Sequence, residues 1–242
     1  MEVEKADEVS GSFLPDGYPE LMVFNSPATI TLGDEKCMVT AQSILGSQST
    51  VGGYINFQSP LKLIGLKFQP WIINHFLKPS IQELTNCFAK AEHVLKLNVK
   101  YLEDHLANTI QDPTHVFRWF NEELSRLGTV KESNAVKNSL DLIIETQGRV
   151  SAHYLGEVFG QSQRSFEMAF KSSIGLSAKK YCRIIRVRRL AEAFRKEQKS
   201  LTEMAYDFGY FDQSHFIHDF KKVALSSPRN FFSKDNLVLS RP

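Results

Sequence analysis

A few titratable side chains stand close enough in this sequence to act together. Asp104-His105 and Asp112-Pro113-Thr114-His115 each set a carboxylate beside an imidazole, the pairing used in general acid–base catalysis. His215 and His218, three residues apart, would share a helical face as a metal pair does. The rest of the machinery is missing. No Gly-x-Ser-x-Gly elbow, cysteine nucleophile pattern or Gly-rich phosphate loop occurs, and no cysteine neighbours the two histidines. Residues 1–70 hold no histidine, which removes the inward ligand set of a barrel metalloenzyme. Surface-helix residues and a capped turn account for the acid–histidine pairs, and neither an enzyme, a metal site nor a cofactor is expected. Cys37, Cys87 and Cys182, odd in number and widely spaced, read as buried thiols of a reducing compartment rather than a disulfide framework.

The chemistry that remains is that of charge. The chain of 242 residues carries a net +2, but residues 1–128 hold 10 Lys+Arg against 15 Asp+Glu and residues 129–242 hold 19 against 12. A half at −5 therefore adjoins a half at +7, with Arg183, Arg186, Arg188 and Arg189 within one short run. Such a field attracts phosphates over about 8 Å at physiological salt. A solvated basic helix gives the same count, so pattern must decide.

The pattern is a repeat with a period of about 50 residues, visible when 151–181 is laid on 200–231. Ser151 and Ser200 stand as N-caps, Ser200 with Glu203 as a capping box. Gly156 and Ala205 are small where a second helix must cross closely, and Gly160 and Gly209 allow the positive φ of a sharp turn. Phe166 and Phe170, like Phe216 and Phe220, lie four apart on one face. Each copy is a helix-turn-helix unit. Between them Ser177 caps a connector at about 178–197 that, as a rigid helix, would set two second helices one DNA turn apart, about 34 Å.

The preceding half reads differently. Short alternating runs from Phe13 to Phe68, broken by Pro-Asp-Gly and Gly-Gly, predict a small antiparallel barrel or sandwich, cupin-like in outline; after Pro70 the period shifts to helices through Leu127. The fold class is thus α+β followed by an all-α domain of about seven helices. The expected domains are 1–128, for effector binding or dimerisation, and 129–242, for DNA. No stretch approaches the roughly 18 apolar residues of a membrane span, so a cytoplasmic protein without membrane contact is expected.

Residues 134–232 resemble the AraC/XylS family of bacterial transcription regulators, above all in Met204-Ala205-Tyr206-Asp207-Phe208-Gly209-Tyr210-Phe211-Asp212-Gln213-Ser214-His215-Phe216 and on to Ser227-Pro228. The chain departs from the family at Leu225, where Gly is usual, at Ala178, where Pro is common, and at Met168, where Arg is frequent. Phe13-Leu14-Pro15-Asp16-Gly17-Tyr18 and Gly65-Leu66-Lys67-Phe68-Gln69-Pro70-Trp71 look like an N-terminal domain found in some members. The resemblance implies a regulator, more often an activator, whose partners are double-stranded promoter DNA, RNA polymerase, a small-molecule effector and a second copy of the chain.

In a helix-turn-helix the start of the second helix faces base edges. The base-contact candidates are Gln163, Arg164, Glu167 and Met168 in the first unit and Gln213, Ser214, His215 and His218 in the second, with Arg164 suited to guanine and Gln213 to adenine. Lys171, Lys179, Lys221, Lys222 and Arg229 are expected near phosphates, and Arg186 at the junction of the two units, through carbonyl or carboxylate partners. The other linker arginines are expected to be solvated or near phosphate. Effector-pocket candidates are Phe13, Tyr18, Phe24, Tyr54, Phe57, Phe68 and Trp71. The alternative reading is a ligand-binding or enzymatic barrel whose basic half is a structural module.

Overall fold

The computed structural model describes residues 8–33, 37–58, 60–106, 112–128, 134–196 and 200–232. The described residues include six strands: β1 (Glu8–Phe13), β2 (Glu20–Leu32), β3 (Cys37–Gly46), β4 (Gly53–Gln58), β5 (Leu63–Lys67) and β6 (Phe88–Lys90). All pair antiparallel in a single sheet of order β1-β4-β2-β3-β6, with β5 beside β2. The long β2 pairs with β5 through Glu20–Phe24 and with β4 through Thr29–Leu32, and its ladder to β3 shifts between Val23 and Ala28. Pro27 lies in that shift and has no N–H to donate.

Alternation along β2 sends Leu21 and Val23 to one face and Phe24, Ala28, Ile30 and Leu32 to the other. On the first face sit α1 (Ile73–Phe76), α2 (Ala91–Val94), α3 (Val99–Asp104) and α4 (Thr114–Leu127). The amphipathic α4 turns Val116 and Trp119 into this core and leaves Phe117 70% exposed. Its apolar stripe thus packs on the sheet. The opposite face is concave. Gly46 and Gly53 leave room there for the rings of Phe88 and Phe13, which meet edge to face at 5.6 Å and bring opposite edges of the sheet together.

Seven helices follow among the described residues: α5 (Asn134–Glu145), α6 (Ala152–Val158), α7 (Gln163–Ile174), α8 (Ala178–Lys196), α9 (Leu201–Asp207), α10 (Gln213–Ala224) and α11 (Pro228–Phe232). Residues 129–133, on which the expected domain boundary falls, lie outside the described residues. One core joins α5, α6, α7 and the start of α8 around Phe166, Phe170 and Tyr181; another joins the rest of α8 to α9, α10 and α11 around Phe216 and Phe220. The connector spans both cores, which is why it is buried on nearly every side.

The sheet-bearing part rests directly on these helices. Leu14, in the loop after β1, is 2% exposed and buried in the second helical core with Val187, Met204 and Phe220. Gly52 N donates to Val223 O (2.7 Å) at the end of α10, Asn74 Nδ2 to Ser173 O (2.9 Å), and Thr85 Oγ1 to Gly175 O (2.9 Å). Lys137 lies 5.0 Å over the Trp71 ring. Among the described residues no helix is long and apolar enough to cross a membrane.

Candidate nucleic-acid interface

Each second helix is started by a side chain. Ser162 Oγ accepts from Ser165 N (3.2 Å) at α7, and Asp212 Oδ1 from His215 N (2.7 Å) at α10. The preceding helices α6 and α9 begin at Ser151 and at the Ser200–Glu203 capping box. Gly160 and Gly209 take φ of +65° and +72° in the turns, and a Cβ at Gly156 would lie 3.1 Å from Gln161 O. The sequence repeat is therefore a structural one.

Burial then sorts the faces. In α7, Phe166, Phe170 and Ile174 are buried while Gln163, Arg164, Met168 and Lys171 are exposed; Glu167 is half-buried and accepts from Gln163 Nε2 (3.1 Å). In α10, Phe216, Asp219, Phe220 and Val223 are buried while Gln213, Ser214, His215, His218, Lys221 and Lys222 are exposed. Thr202 donates to Gln213 Oε1 at 3.3 Å, steadying that side chain against the preceding helix. Lys179 and Arg229 are exposed as well. Lys222 lines a cleft of about 200 Å³ with Thr50, Lys180, Arg183 and Ile184.

The linker arginines divide by environment. Arg186 Nη2 donates to Gly148 O (2.6 Å), ahead of α6, and its guanidinium lies 5.3 Å over Tyr210 in the second turn, so one side chain touches both units. The expectation that the remaining arginines are solvated or near phosphate is corrected for two of them. Arg183 Nε lies 3.0 Å from Asp219 Oδ1 on α10, and Arg188, 5% exposed, donates to Glu192 Oε1 at 2.7 Å. A helix packed on two sides has too little outer surface for all its cations. Asp219, which closes the first of these pairs, carried no signal in the sequence beyond its place three residues after Phe216.

A cavity of about 620 Å³ lies on the concave face of the sheet. Phe13 and Tyr18 line it, together with Leu14, Asp16, Glu20, Met22, Ser47, Gln48 and Lys67. The other pocket candidates are corrected. Phe24 is fully buried in sheet packing, Phe68 belongs to the core under α1, Tyr54 is 49% exposed, Phe57 packs at the edge of the sheet core, and Trp71 packs against the first helical unit. Aromatic type alone does not tell a core ring from a pocket wall. The polar residues of the cavity were missed because they come from three separated strands and loops.

The acid–histidine pairs are local. His105 Nδ1 donates to Tyr101 O (2.8 Å) and its ring stacks on the Tyr101 ring at 4.3 Å, while Asp112 Oδ1 holds Thr114 N (3.0 Å) and its hydroxyl (2.7 Å) in a capped turn. Cys37 and Cys87 are half-buried with their sulfurs 3.8 Å apart, closer company than their spacing implied. Among the described residues no group of three His, Cys, Asp or Glu side chains could hold a metal ion.

Residues 155–234 match a family described as a helix-turn-helix domain. Over nearly the whole chain the fold is similar to that of ToxT from Vibrio cholerae. The chain is similar to apo ToxT of strain SCE256 at 11% identity, covering 98% of this chain and 95% of that one with a TM-score of 0.52. The family match over residues 155–234 takes in both helix-turn-helix units. It lies within the basic half of the chain. Two structures of ToxT from strain O395 are also similar, both with TM-scores of 0.51: one at 11% identity, covering 96% of this chain and 95% of that, the other at 12%, covering 95% and 96% and bound to (E)-4-(8-methylnaphthalen-1-yl)but-3-enoic acid. No curated protein matches the chain in sequence.

Proposed function

We propose that this chain is an effector-responsive, sequence-specific transcription regulator. Residues 129–242 bind promoter DNA by setting α7 and α10 into successive major grooves, and residues 1–128 sense a small molecule or pair with a second copy. In this reading Arg164 and Gln213 read bases, Gln163, Met168, Ser214, His215 and His218 fill the groove around them, and Lys171, Lys179, Lys221, Lys222 and Arg229 hold phosphates. Glu167 is already engaged by Gln163 and contributes shape more than readout. RNA polymerase is the partner through which a bound regulator would act.

One observation carries the effector part: the cavity and the AraC-type domain share a wall. Leu14 and Tyr18 line the cavity, yet Leu14 is buried in the core of the second unit, and Gly17 between them lies against Tyr181 of the linker helix. A ligand that shifts this segment must shift the surface on which α8 rests, which is the differential contact any ligand-driven change requires. The acid held by ToxT fits the same class of small apolar effector. The test is electrophoretic retardation of DNA upstream of the chain's own and neighbouring genes by the full protein, with competitor, at two salt concentrations. Specific binding that survives competitor and weakens with salt supports the reading, and its absence overturns it.

A further inference from the structure

Cys37, Cys87 and Cys182 are free thiols, and two of them meet in space. Cys37 opens β3 and Cys87 comes just before β6, strands that pair through Ile44–Gly46 and Phe88–Lys90 at the other end of β3. The curl of the sheet that joins Phe13 to Phe88 also brings the two sulfurs to 3.8 Å. Both residues are half-buried and keep part of their surface in solvent.

Their hydrogen bonds differ in kind. Phe88 N donates to Cys37 Sγ (3.5 Å), the Cys37 thiol to Cys87 Sγ (3.8 Å), and the Cys87 thiol to Phe88 O (3.3 Å). A backbone N–H aimed at a sulfur steadies negative charge on it, whereas a carbonyl that holds an S–H keeps the proton in place. Burial, and after it the neighbouring Cys37 sulfur, pushes the Cys87 thiol up. The attacking sulfur is therefore that of Cys37, with Cys87 a protonated partner beside it. Closure asks little of the chain: an S–S bond is about 2.05 Å long, so the sulfurs have about 1.8 Å to travel.

We propose that Cys37 and Cys87 are a redox-active pair that a peroxide converts to an intramolecular disulfide. The Cys37 sulfur attacks one peroxide oxygen and the O–O bond breaks, giving a sulfenic acid at Cys37 and one water. The Cys87 sulfur then attacks the Cys37 sulfur, the S–O bond breaks, and the hydroxyl leaves with the Cys87 proton as a second water. Two thiols give up two electrons and one peroxide is reduced. The bond also reaches beyond the two sulfurs. Cys87 O accepts from Ser47 N (3.4 Å), Asn86 Oδ1 from Thr50 N (2.7 Å), and Gly52 N donates to Val223 O (2.7 Å) near the end of α10. A disulfide thus fastens the stretch that holds the β3–β4 loop, and that loop carries a contact of the sheet with α10.

The full chain, reduced and then freed of reductant, is treated with hydrogen peroxide at pH 7.5. Thiols counted in denaturant should fall from three to one, digestion should release a joined Cys37–Cys87 peptide, and dithiothreitol should restore all three. Cys182, 5% exposed, stays reduced as the internal control. Cys87→Ser should accumulate a sulfenic acid on Cys37 that dimedone labels, and Cys37→Ser should lose thiol at least tenfold more slowly than the unaltered chain. Amide exchange over residues 47–52 should slow at least threefold on oxidation. Unchanged thiols, thiols lost without the Cys37–Cys87 peptide, or a disulfide between two chains overturns the pair. No dimedone label on Cys37, or a smaller slowing in Cys37→Ser, overturns its role as the attacking sulfur. A smaller change in exchange overturns the reach to α10. None of these measurements involves DNA, so their failure leaves the regulator reading standing.

Discussion

Gly17, in the cavity wall, and Tyr181, on the linker helix, are in contact so close that a Cβ at position 17 would lie 2.9 Å from the tyrosine ring and hydroxyl. Tyr181 is fully buried, and burial pushes its phenol well above the ordinary value. No flexible end is available to yield. The contact ties the sheet-bearing part closely to the helix-turn-helix domain.

Gly17→Ala adds both this clash and a side chain at φ +84°, whereas Gly33→Ala adds a side chain at φ +65° with nothing nearer than 3.7 Å. The left-handed conformation alone costs about 1–2 kcal/mol. Denaturant unfolding should therefore show Gly17→Ala less stable than Gly33→Ala by about 1–3 kcal/mol. Equal losses would mean that the wall and the linker helix separate without cost.

Arg164→Ala and Gln213→Ala should each lower specific affinity by about 1–3 kcal/mol and relax preference at one base position. Lys171→Ala and Lys221→Ala should instead weaken all sequences alike and reduce the salt slope by about one each. Binding isotherms at several salt concentrations on matched and mutated sites read both effects. A uniform, salt-linked loss for Arg164→Ala would assign it to phosphate.

Asp219 lies 7% exposed between Arg183 (3.0 Å) and His215 (4.0 Å). Asp219→Asn removes the charge but keeps the shape and leaves Arg183 beside a neutral amide. Since that guanidinium keeps a quarter of its surface in solvent, the expected loss is about 1–3 kcal/mol. A double-mutant cycle with Arg183→Met that finds no coupling would contradict the pairing.

Leu225 ends α10 at φ +56°, with its side chain 49% exposed. Glycine adopts this conformation without the Cβ penalty, so Leu225→Gly should raise stability by about 0.5–1 kcal/mol, read as a higher thermal midpoint. A fall would show that Leu225 packs better than its exposure indicates.

Cys182 is buried at the linker, and burial pushes its thiol from 9.0 up to about 11. A raised folded-state value means that the native state holds this proton after the unfolded chain has lost it. The stabilisation is present in full below about pH 9 and is lost as pH rises toward 11. Unfolding free energy should fall across that window, on the order of 2 kcal/mol from this group, and Cys182→Ala should flatten the slope between pH 9 and 11. An unchanged slope would place the alkaline loss elsewhere.

Much of the helical half was legible because its signals are local. A cap needs a Ser or Asp at one position, a turn needs a Gly at φ above zero, and a buried face needs Phe at a spacing of four; Ser200, Gly209, Phe216 and Phe220 satisfy those conditions within one stretch. Repetition of the same set around Ser151, Gly160, Phe166 and Phe170 made the assignment of two units secure. The outward faces of α7 and α10 follow from the same period.

The cavity and the joints were decided by tertiary structure. Gln48, Glu20 and Lys67 are far apart in sequence and of types common on any surface; they meet only because β2, β5 and the loop after β3 converge. Trp71 and Phe68 look like pocket rings until packing assigns them to cores. Arg183 and Asp219 find each other across two helices, and Gly17 finds Tyr181 across two parts of the chain. Periodicity and capping act over a few residues, so the sequence alone could establish the elements and their faces. Long-range contacts depend on how those faces pack, a property of the assembled volume that no local pattern encodes.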